Sequence, residues 1–452
     1  PVTIVAIGAG NRTNKYLEYA IRNPDRMKLV GVAELNDIRR HAVASKFGLK
    51  PEECFADYER FFENPVPADA ILIGTPENMH FEPCMKAIEA GYNVLLEKPI
   101  AQSLPECCRI AEAARRKGVI VGVCHVLRYH PYFIKIKEIV DSGQLGEIIS
   151  ISHLAAVGLD RTTHGFVRGM WRREEITNPM LISKCCHDID FLLWLTEARC
   201  RKLSSFGSLR WFRAENAPKG STPRCIDCPL EKECPYSAVD LYYNRRDWIS
   251  NFDVPEGATL DEVILRQLRT GDYGRCVFRC DNDVVDHQIV SMEMENDVTI
   301  SFSMDAFTLG DQRETHIRLT HGEIDGDERI LRVRRFRGGE EQVYDCLLYT
   351  SPSPRDRTHP ARAPIPGRGR AGIRFLRHTR QAIPRRSRPK SGRGFRRHDQ
   401  PQGAPLPHIN RKIGRKPPDM LRSRAKQTIR TDRNPRPNAL IAPGTNRQAA
   451  TF

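Results

Sequence analysis

A lysine that follows a short apolar run is the first residue whose position suits chemistry. The run Val94-Leu95-Leu96 lies between Gly91 and Pro99, and Lys98 comes directly before that proline. Short apolar runs bounded by turn residues are typical of inner strands of a parallel sheet. Because ligands of open α/β sheets bind outside the carboxyl ends of the strands, Lys98 is predicted to point toward a cofactor and a substrate. The alternative is a surface lysine at a strand end.

A second group of ionisable residues shares one stripe of a predicted helix. Lys184, His187 and Asp190 recur every third residue, while apolar residues bury another side. A lysine and a histidine that meet at a crevice lower each other's affinity for protons, which leaves a neutral imidazole able to accept one. A histidine that is merely satisfied in the core is the alternative.

Three cysteines have a spacing that suits a tetrahedral metal. Cys225 and Cys228 form a Cys-x2-Cys pair, and Cys234 offers a third thiolate. The spacing does not identify a fourth ligand, for which Cys200, Cys276, Cys280 and a histidine are open choices. Structural zinc is therefore a hypothesis beside free or partly paired thiols, and no metal ligand is assigned with certainty.

The chain begins with a strand, a tight glycine turn and a helix. A β-branched run over residues 2–7 leads into Gly8-Ala9-Gly10-Asn11-Arg12-Thr13, after which apolar residues keep helical spacing. Glycines let the backbone approach a pyrophosphate, and the helix N-terminus offers unpaired N–H groups to it. A second apolar run, residues 29–33, ends in Glu34, which could accept hydrogen bonds from the ribose hydroxyls of NAD.

Two features complicate the choice of cofactor. Thr13 stands where a third glycine is expected, and Arg39 and Arg40 could neutralise the phosphate of NADP. Glu34 would repel that phosphate, so NAD is favoured over NADP.

Two further strands end near polar residues. The run over 70–74 leads into Thr75 and His80, and the run over 119–123 leads to His125 and Arg128. The alternation of strands and helices through about residue 124 predicts a doubly wound parallel sheet.

Several of these motifs, taken in order, resemble the Gfo/Idh/MocA oxidoreductases. They are Gly-Ala-Gly-Asn-Arg at 8–12, Thr75-Pro76 with His80, Glu97-Lys98-Pro99, Arg128 with Pro131, and Gly-Gln-Leu-Gly at 143–146. The resemblance covers about residues 2–345. It implies a Rossmann domain over 1–124, then an α/β domain over 125–345 whose open mixed, largely antiparallel sheet builds the substrate site and often an oligomer interface. Residues 199–275 look like an insertion in the second domain.

The resemblance also implies roles for individual residues. The implied catalytic residues are Lys98, Lys184, His187 and Asp190, the last two from the family's His-x-x-Asp helix. The implied cofactor contacts are Gly8, Gly10, Asn11, Arg12, Glu34, Thr75, Asn78, His80, Glu97, Lys98 and His125. The implied substrate contacts are Lys98, Arg128, Arg172 and His187. One residue departs from the pattern: many members carry Asp where this chain has Ser183, which puts the proton relay in question.

The resulting hypothesis is an NAD-dependent dehydrogenase that acts on a sugar, a cyclitol or a sugar-derived polyol. One alternative is an NAD-dependent glycoside hydrolase that oxidises its substrate transiently, eliminates the aglycone and reduces again. An alternative of another class is a non-catalytic nucleotide-binding protein, for which Thr13 and Ser183 are the only support. A homo-oligomer is expected where the C-terminal domain is complete.

The charge of the chain is concentrated at its C-terminal end. Its 452 residues carry a formal net charge of +15, but residues 346–452 hold 26 Lys and Arg against 4 Asp and Glu. Residues 346–356 resemble the conceptual translation of a sequencing adapter, so we interpret 346–452 as a non-native or disordered tail that replaces the family's closing helix and strand. An evolved tail of this composition would instead predict salt-dependent nucleic-acid binding, which we do not expect.

The cysteines indicate the compartment. Thirteen of the 14 cysteines precede residue 346, several as neighbours, and neither a signal peptide nor an apolar run of membrane-spanning length precedes them. We interpret them as reduced thiols of a cytoplasmic protein with no membrane partner.

Overall fold

The computed structural model describes residues 1–347, apart from the side chain of Asn251. The predicted tail from residue 348 onward, with most of the adapter-like segment, lies outside the described residues. Cys346, where that prediction begins, is 1% exposed, and its N–H donates to the carbonyl of Arg329 at 2.8 Å. It therefore packs as part of the folded chain.

About the N-terminal third of the described chain is built on a six-stranded sheet with the order β3-β2-β1-β4-β5-β6. Every pair of neighbouring strands in this sheet runs parallel, which confirms the predicted doubly wound sheet. Its strands are β1 Val2–Ile7, β2 Met27–Ala33, β3 Cys54–Phe55, β4 Ala70–Ile73, β5 Asn93–Leu96 and β6 Val121–Val123.

Helices cover both faces of this sheet, because its central strands are apolar on both sides. They are α1 Asn11–Arg22, α2 Asp37–Phe47, α3 Tyr58–Glu63, α4 Phe81–Glu89 and α5 Leu104–Lys117. On one face, Leu17 of α1 and Val43 of α2 pack against Ile4 and Leu72. The opposite core joins β1, β4 and β5 to α4 and α5. The carboxyl ends of the strands are thereby fixed as one edge.

A second sheet of eight strands has the order β14-β13-β12-β11-β7-β10-β9-β8. The pair β7–β10 is parallel and the other neighbouring pairs in this sheet are antiparallel, so the sheet is mixed and largely antiparallel, as predicted. Its strands are β7 Ile148–Ala156, β8 Cys200–Ser208, β9 His287–Met294, β10 Thr299–Asp305, β11 Arg313–Leu319, β12 Gly322–Gly326, β13 Ile330–Arg335 and β14 Gln342–Asp345.

One long helix carries the apolar layer that packs on this sheet. Helix α8, Met180–Thr196, follows α6, Pro131–Asp141, and the single turn α7, Leu159–Arg161. Phe191, Leu192 and Leu195 of α8 share a core with Ile151 and Phe302 of the sheet. The buried side of α8 is thus held on the second sheet. Another side of the helix is left to contact residues that follow the strands of the first sheet.

The segment between β8 and β9, residues 209–286, is called here the inserted segment. It contains α9, Leu260–Arg269, and a small core of its own built around Leu241, Tyr242 and Phe252. Residues 200–208, which the sequence analysis placed inside an insertion, form strand β8 at the edge of the second sheet. Among residues 1–347, no helix combines the length and the apolar character that a membrane crossing requires.

Candidate active site

Lys98 reaches from the first sheet to helix α8. Strand β5 ends at Leu96, and Lys98 follows two residues later, joined to Pro99 by a cis peptide bond. The Nζ of Lys98 donates a hydrogen bond to the carbonyl oxygen of Ser183 at 2.5 Å. Ser183 lies one turn before His187 on α8, so the lysine at the strand end is brought to the helix that carries the histidine.

His187 is a buried, neutral imidazole near that lysine. Its exposure is 7%, and its Nδ1 has no hydrogen-bond partner among residues 1–347. Burial and then the charge of Lys98 lower the pKa of His187 to about 2. The ring of His125 lies 5.8 Å away, centroid to centroid, in an edge-to-face arrangement. Burial lowers the pKa of His125 as well, so both imidazoles are uncharged at neutral pH.

A buried carboxylate that the sequence analysis did not single out lies beside Ser183. Glu77, at 5% exposure, accepts hydrogen bonds from the Ser183 hydroxyl at 2.8 Å, from the Asn178 amide at 2.8 Å and from Trp171 Nε1 at 2.9 Å. A carboxylate therefore lies next to Ser183, which is the position where many members of the family that this sequence resembles carry Asp. The signal in the sequence was Glu77 itself, in the loop after a buried strand.

His80 connects two loops at the strand ends. It is 1% exposed, and its ring nitrogens face the carbonyl oxygens of Pro99 at 2.8 Å and Thr75 at 3.0 Å. The loop after β4 is thus tied to the residue that follows Lys98. In this arrangement His80 positions the backbone around the lysine. The Thr75 hydroxyl donates to the carbonyl of Met79 at 3.1 Å, and Asn78 between them is exposed.

Glu97 connects the same strand end to the glycine turn. It is 5% exposed and accepts hydrogen bonds from the Tyr16 hydroxyl and from the backbone N–H of Lys98, the latter at 2.9 Å. Arg12, at the start of α1, lies 3.5 Å from the Glu97 carboxylate. Burial and then the bond to Glu97 raise the pKa of Tyr16. This network therefore ties the position of Lys98 to α1.

The glycine turn has the backbone shape that a bound pyrophosphate requires. Gly8 has φ +87°, and a Cβ there would meet the backbone of Gly74 at 2.9 Å. A Cβ on Gly10 would meet nothing within 4 Å, so the space in front of α1 is open. Thr13, at the position of the third glycine, fits because its neighbour directly after β4 is Gly74, where a Cβ would come 2.2 Å from the Thr13 hydroxyl.

Glu34 is held at the end of β2 beside this turn. Its carboxylate accepts the N–H of Ala9 at 2.5 Å and the N–H of Asn36 at 2.9 Å. Asn11 begins α1, and Gly10 before it supplies no side-chain cap. An open turn, an uncapped helix N-terminus and a fixed carboxylate fit the pyrophosphate and ribose of a dinucleotide.

Two other predicted site residues, Arg128 and Asp190, are occupied by each other. Arg128 makes a bidentate ion pair with Asp190 at 2.7 and 2.8 Å, so the two predicted residues meet each other. Burial and then Arg161 and Arg313 lower the pKa of Lys184 to about 8. After burial, it is chiefly the charge of Lys98, and not that of Lys184, that lowers the pKa of His187.

Arg172 lies with the inserted segment. Its Nε donates to Asp281 at 2.9 Å, and its Nη1 donates to the Gly169 carbonyl at 3.2 Å. No described contact joins it to Lys98 or His187. Its assignment as a substrate contact therefore remains a prediction.

A buried ion pair supports α8 directly after His187. Asp188 is fully buried and accepts hydrogen bonds from Arg313 at 2.5 Å and from His153 at 3.1 Å. Burial raises the pKa of Asp188, but Arg313 and His153 outweigh it and hold that pKa below its usual range. The sequence signal was a charged residue on the apolar side of the helix, which the periodicity analysis passed over.

The described residues give the zinc hypothesis no ligand set. In the part of the chain that the structure covers, no group of three or more His, Cys, Asp or Glu is arranged to hold a metal ion. Cys225, Cys228 and Cys234 are free thiols there.

Residues 2–125 match the family model described as "Oxidoreductase family, NAD-binding Rossmann fold". A curated relative, Oxidoreductase P35 from Formosa agariphila, is 32% identical over 144 residues, which are 32% of this chain. The chain spans 44% of the length of that relative. The sequence match thus rests on about the N-terminal third of the chain.

Solved structures extend the similarity in fold to the second sheet. An inositol dehydrogenase homolog from Azotobacter vinelandii, complexed with NAD+, has a TM-score of 0.52 at 18% identity and covers 76% of each chain. The WlbA dehydrogenase from Bordetella pertussis, in complex with NADH and UDP-GlcNAcA, has a TM-score of 0.52 at 14% identity and covers 75% of this chain and 83% of its own. At these identities the likeness concerns the fold.

Proposed function

We propose that the protein is an NAD-dependent dehydrogenase of the Gfo/Idh/MocA oxidoreductase family, whose model matches residues 2–125. Its proposed substrate is a secondary alcohol of a sugar, a cyclitol or a sugar-derived polyol. The observation that carries the proposal is the approach of Lys98 to α8: its ammonium binds the carbonyl of Ser183, and its charge helps to keep His187 neutral.

The two side chains divide the work in this proposal. Lys98 has three N–H donors, of which Ser183 takes one, so others can bind the substrate oxygen and stabilise its developing negative charge. The neutral imidazole of His187 accepts the hydroxyl proton and releases it to solvent. NAD, when bound, supplies the nicotinamide that accepts the hydride. The alcohol is thereby oxidised to a carbonyl while NAD+ is reduced to NADH.

The cofactor is proposed to be NAD rather than NADP. Glu34 is oriented by two backbone N–H groups and offers its carboxylate at the end of β2, where a ribose hydroxyl would donate to it. The remaining predicted contacts of the cofactor, Gly8, Gly10, Asn11, Arg12, Thr75, Asn78, His80, Glu97 and His125, keep that proposed role.

We also propose a reducing, cytoplasmic location and, because the eight-stranded sheet that would form the interface is present in this chain, a homo-oligomer. All 14 cysteines are unpaired, which suits a reducing compartment. The oligomer would use the face of the second sheet that points away from α8, where apolar side chains are exposed.

The test is a panel of sugars, cyclitols and glycosides incubated with the purified full chain and NAD+. Accumulation of NADH with a free sugar or cyclitol supports the proposal. Release of aglycone from a glycoside without net NADH would instead identify hydrolysis by transient oxidation. If labelled hydride does not exchange between NADH and any polyol while the dinucleotide still binds, the protein is a non-catalytic nucleotide-binding protein and the proposal is wrong.

A further inference from the structure

The inserted segment makes a direct contact with the loop that follows β2. Asp253 of this segment accepts a hydrogen bond from Arg39 Nε at 2.8 Å and from the Asn36 side-chain amide at 3.1 Å. Asn36 is the N-cap of α2, and Arg39 lies in its first turn. A residue more than two hundred positions away in sequence therefore reaches the end of the strand that carries Glu34.

The contact removes the free cation that the sequence suggested at this place. Arg39 is paired with Asp253, and the bond to that carboxylate raises the pKa of Arg39 above its usual value. Arg40, the neighbouring arginine, is paired with Asp37 and donates to the Glu34 carbonyl at 2.6 Å. Both arginines that could have received a phosphate thus already have an acidic partner.

The position of Asp253 is fixed by packing. Phe252, the residue before it, is 7% exposed, and its ring lies 5.2 Å from Tyr273 and 5.5 Å from Tyr242. The ring of Tyr273 stacks on His164 at 4.8 Å. Asp253 is therefore held in place by the small aromatic core that packs around the residue before it.

We propose that Asp253 makes this protein select NAD over NADP by holding Arg39 and by adding a second carboxylate beside Glu34. The inference rests on the proposed dinucleotide site. The 2′-phosphate of NADP carries about two negative charges and needs a cation in place of the acidic residue that suits the 2′-hydroxyl of NAD. With Asp253 in place, that phosphate meets two carboxylates and an arginine that is already paired.

The ion pair between Arg39 and Asp253 is partly exposed, so its removal should change the stability of the fold little. The side chains of Arg39 and Asp253 are 37% and 30% exposed. Ion pairs at such exposure contribute about 0–1 kcal/mol to folding. A purely structural salt bridge would therefore leave cofactor preference unchanged when it is removed.

The experiment compares the affinities of the full chain for NADH and NADPH by fluorescence titration, which needs no substrate. For Asp253→Asn we expect the ratio of the NADPH Kd to the NADH Kd to fall by about tenfold or more, because Arg39 is released to the phosphate. Asp253→Ala provides a second variant if the first one does not fold. Adding Arg39→Gln to Asp253→Asn should raise the ratio again toward the wild-type value, because the released cation is removed.

The matched control is Asp261→Asn. Asp261 also belongs to the inserted segment and also pairs with an arginine, Arg246, at 2.7 Å, but it does not contact α2 through any described hydrogen bond. Its variant should keep the wild-type ratio. A wild-type chain that binds NADPH as tightly as NADH would overturn the inference together with the proposed preference for NAD, while the proposed dehydrogenase reaction stands. An Asp253 variant whose ratio stays within about twofold of the wild-type ratio would overturn the inference alone. Failure of the wild type to bind either dinucleotide would overturn both.

Discussion

The hydroxyl of Ser183 donates to the buried carboxylate of Glu77 across 2.8 Å, while the carbonyl of the same serine accepts a hydrogen bond from Lys98. One residue of α8 thus joins a carboxylate from the loop after β4 to an ammonium from the end of β5. Ser183, which looked like a departure from the family pattern, therefore connects the loops of the first sheet to the helix that packs on the second sheet.

The first prediction concerns Glu77→Gln. All three side-chain partners of Glu77 are donors, so an amide in its place sets an NH2 group against one of them. We expect the free energy of unfolding to fall by about 1–3 kcal/mol, as measured by urea denaturation. Glu112→Gln on the exposed side of α5 is the control and should change little. Equal stability of the two variants would contradict the role given to this network.

The second prediction concerns Lys98→Met. The variant should bind NADH with wild-type affinity but lose nearly all turnover, because methionine cannot hold the substrate oxygen. Lys86→Met, on α4, is the control and should stay close to the wild type. Turnover within about tenfold of the wild type, or about 1.4 kcal/mol of barrier, would remove Lys98 from the mechanism.

The third prediction concerns the pH dependence of His187. Its pKa is about 2 in the folded chain and near 6.5 in the unfolded chain, so between these values only the unfolded state takes up the proton. Stability due to the neutral imidazole is therefore present above pH 6.5 and is lost as pH falls below it. Urea denaturation of the wild type and of His187→Gln should show this difference, with the wild type losing more stability from pH 7 to pH 5.

The lowered pKa of His187 also predicts the pH dependence of the kinetics. Because His187 stays deprotonated well below pH 6.5, kcat/KM should show no acidic limb near 6.5. A limb at that pH which disappears in a His187 variant would mean that the imidazole titrates normally and that its pKa is not lowered.

The fourth prediction concerns Arg313→Met. This change leaves the fully buried carboxylate of Asp188 without its cation, and His153 alone remains beside it. We expect a loss of about 3–5 kcal/mol in the free energy of unfolding. Adding Asp188→Asn should recover part of this loss. The control is Arg329→Met, which removes an exposed pair with Asp345 and should cost about 0–1 kcal/mol.

The fifth prediction concerns the exposed face of the second sheet. Phe206 and Ile289 are register partners there and are 72% and 51% exposed. We expect light scattering after size exclusion to show an oligomer that Phe206→Glu dissociates, because a charge opposes burial of that face. Leu104→Glu, which alters an equally exposed leucine on α5, should leave the mass unchanged. A monomeric wild type would refute the predicted oligomer.

The sequence by itself was sufficient for the first sheet and for placing Lys98 at the edge where its strands end. Periodicity and glycine turns are local, and the edge of a parallel sheet collects the residues that follow its strands, so Glu34, His80 and Lys98 could be placed together in advance. The second, mixed sheet followed from the family resemblance and from alternating strands such as β9 and β10.

Only the tertiary structure decided which charges are free. Asp253 meets Arg39, Arg128 meets Asp190, and Glu77 meets Ser183 across separations of 62 to 214 residues. No local pattern encodes such pairs, because each forms when two independently packed elements come together. The types of residue in the sequence therefore indicate that a charged site exists, whereas packing determines whether each charge faces a ligand or another side chain.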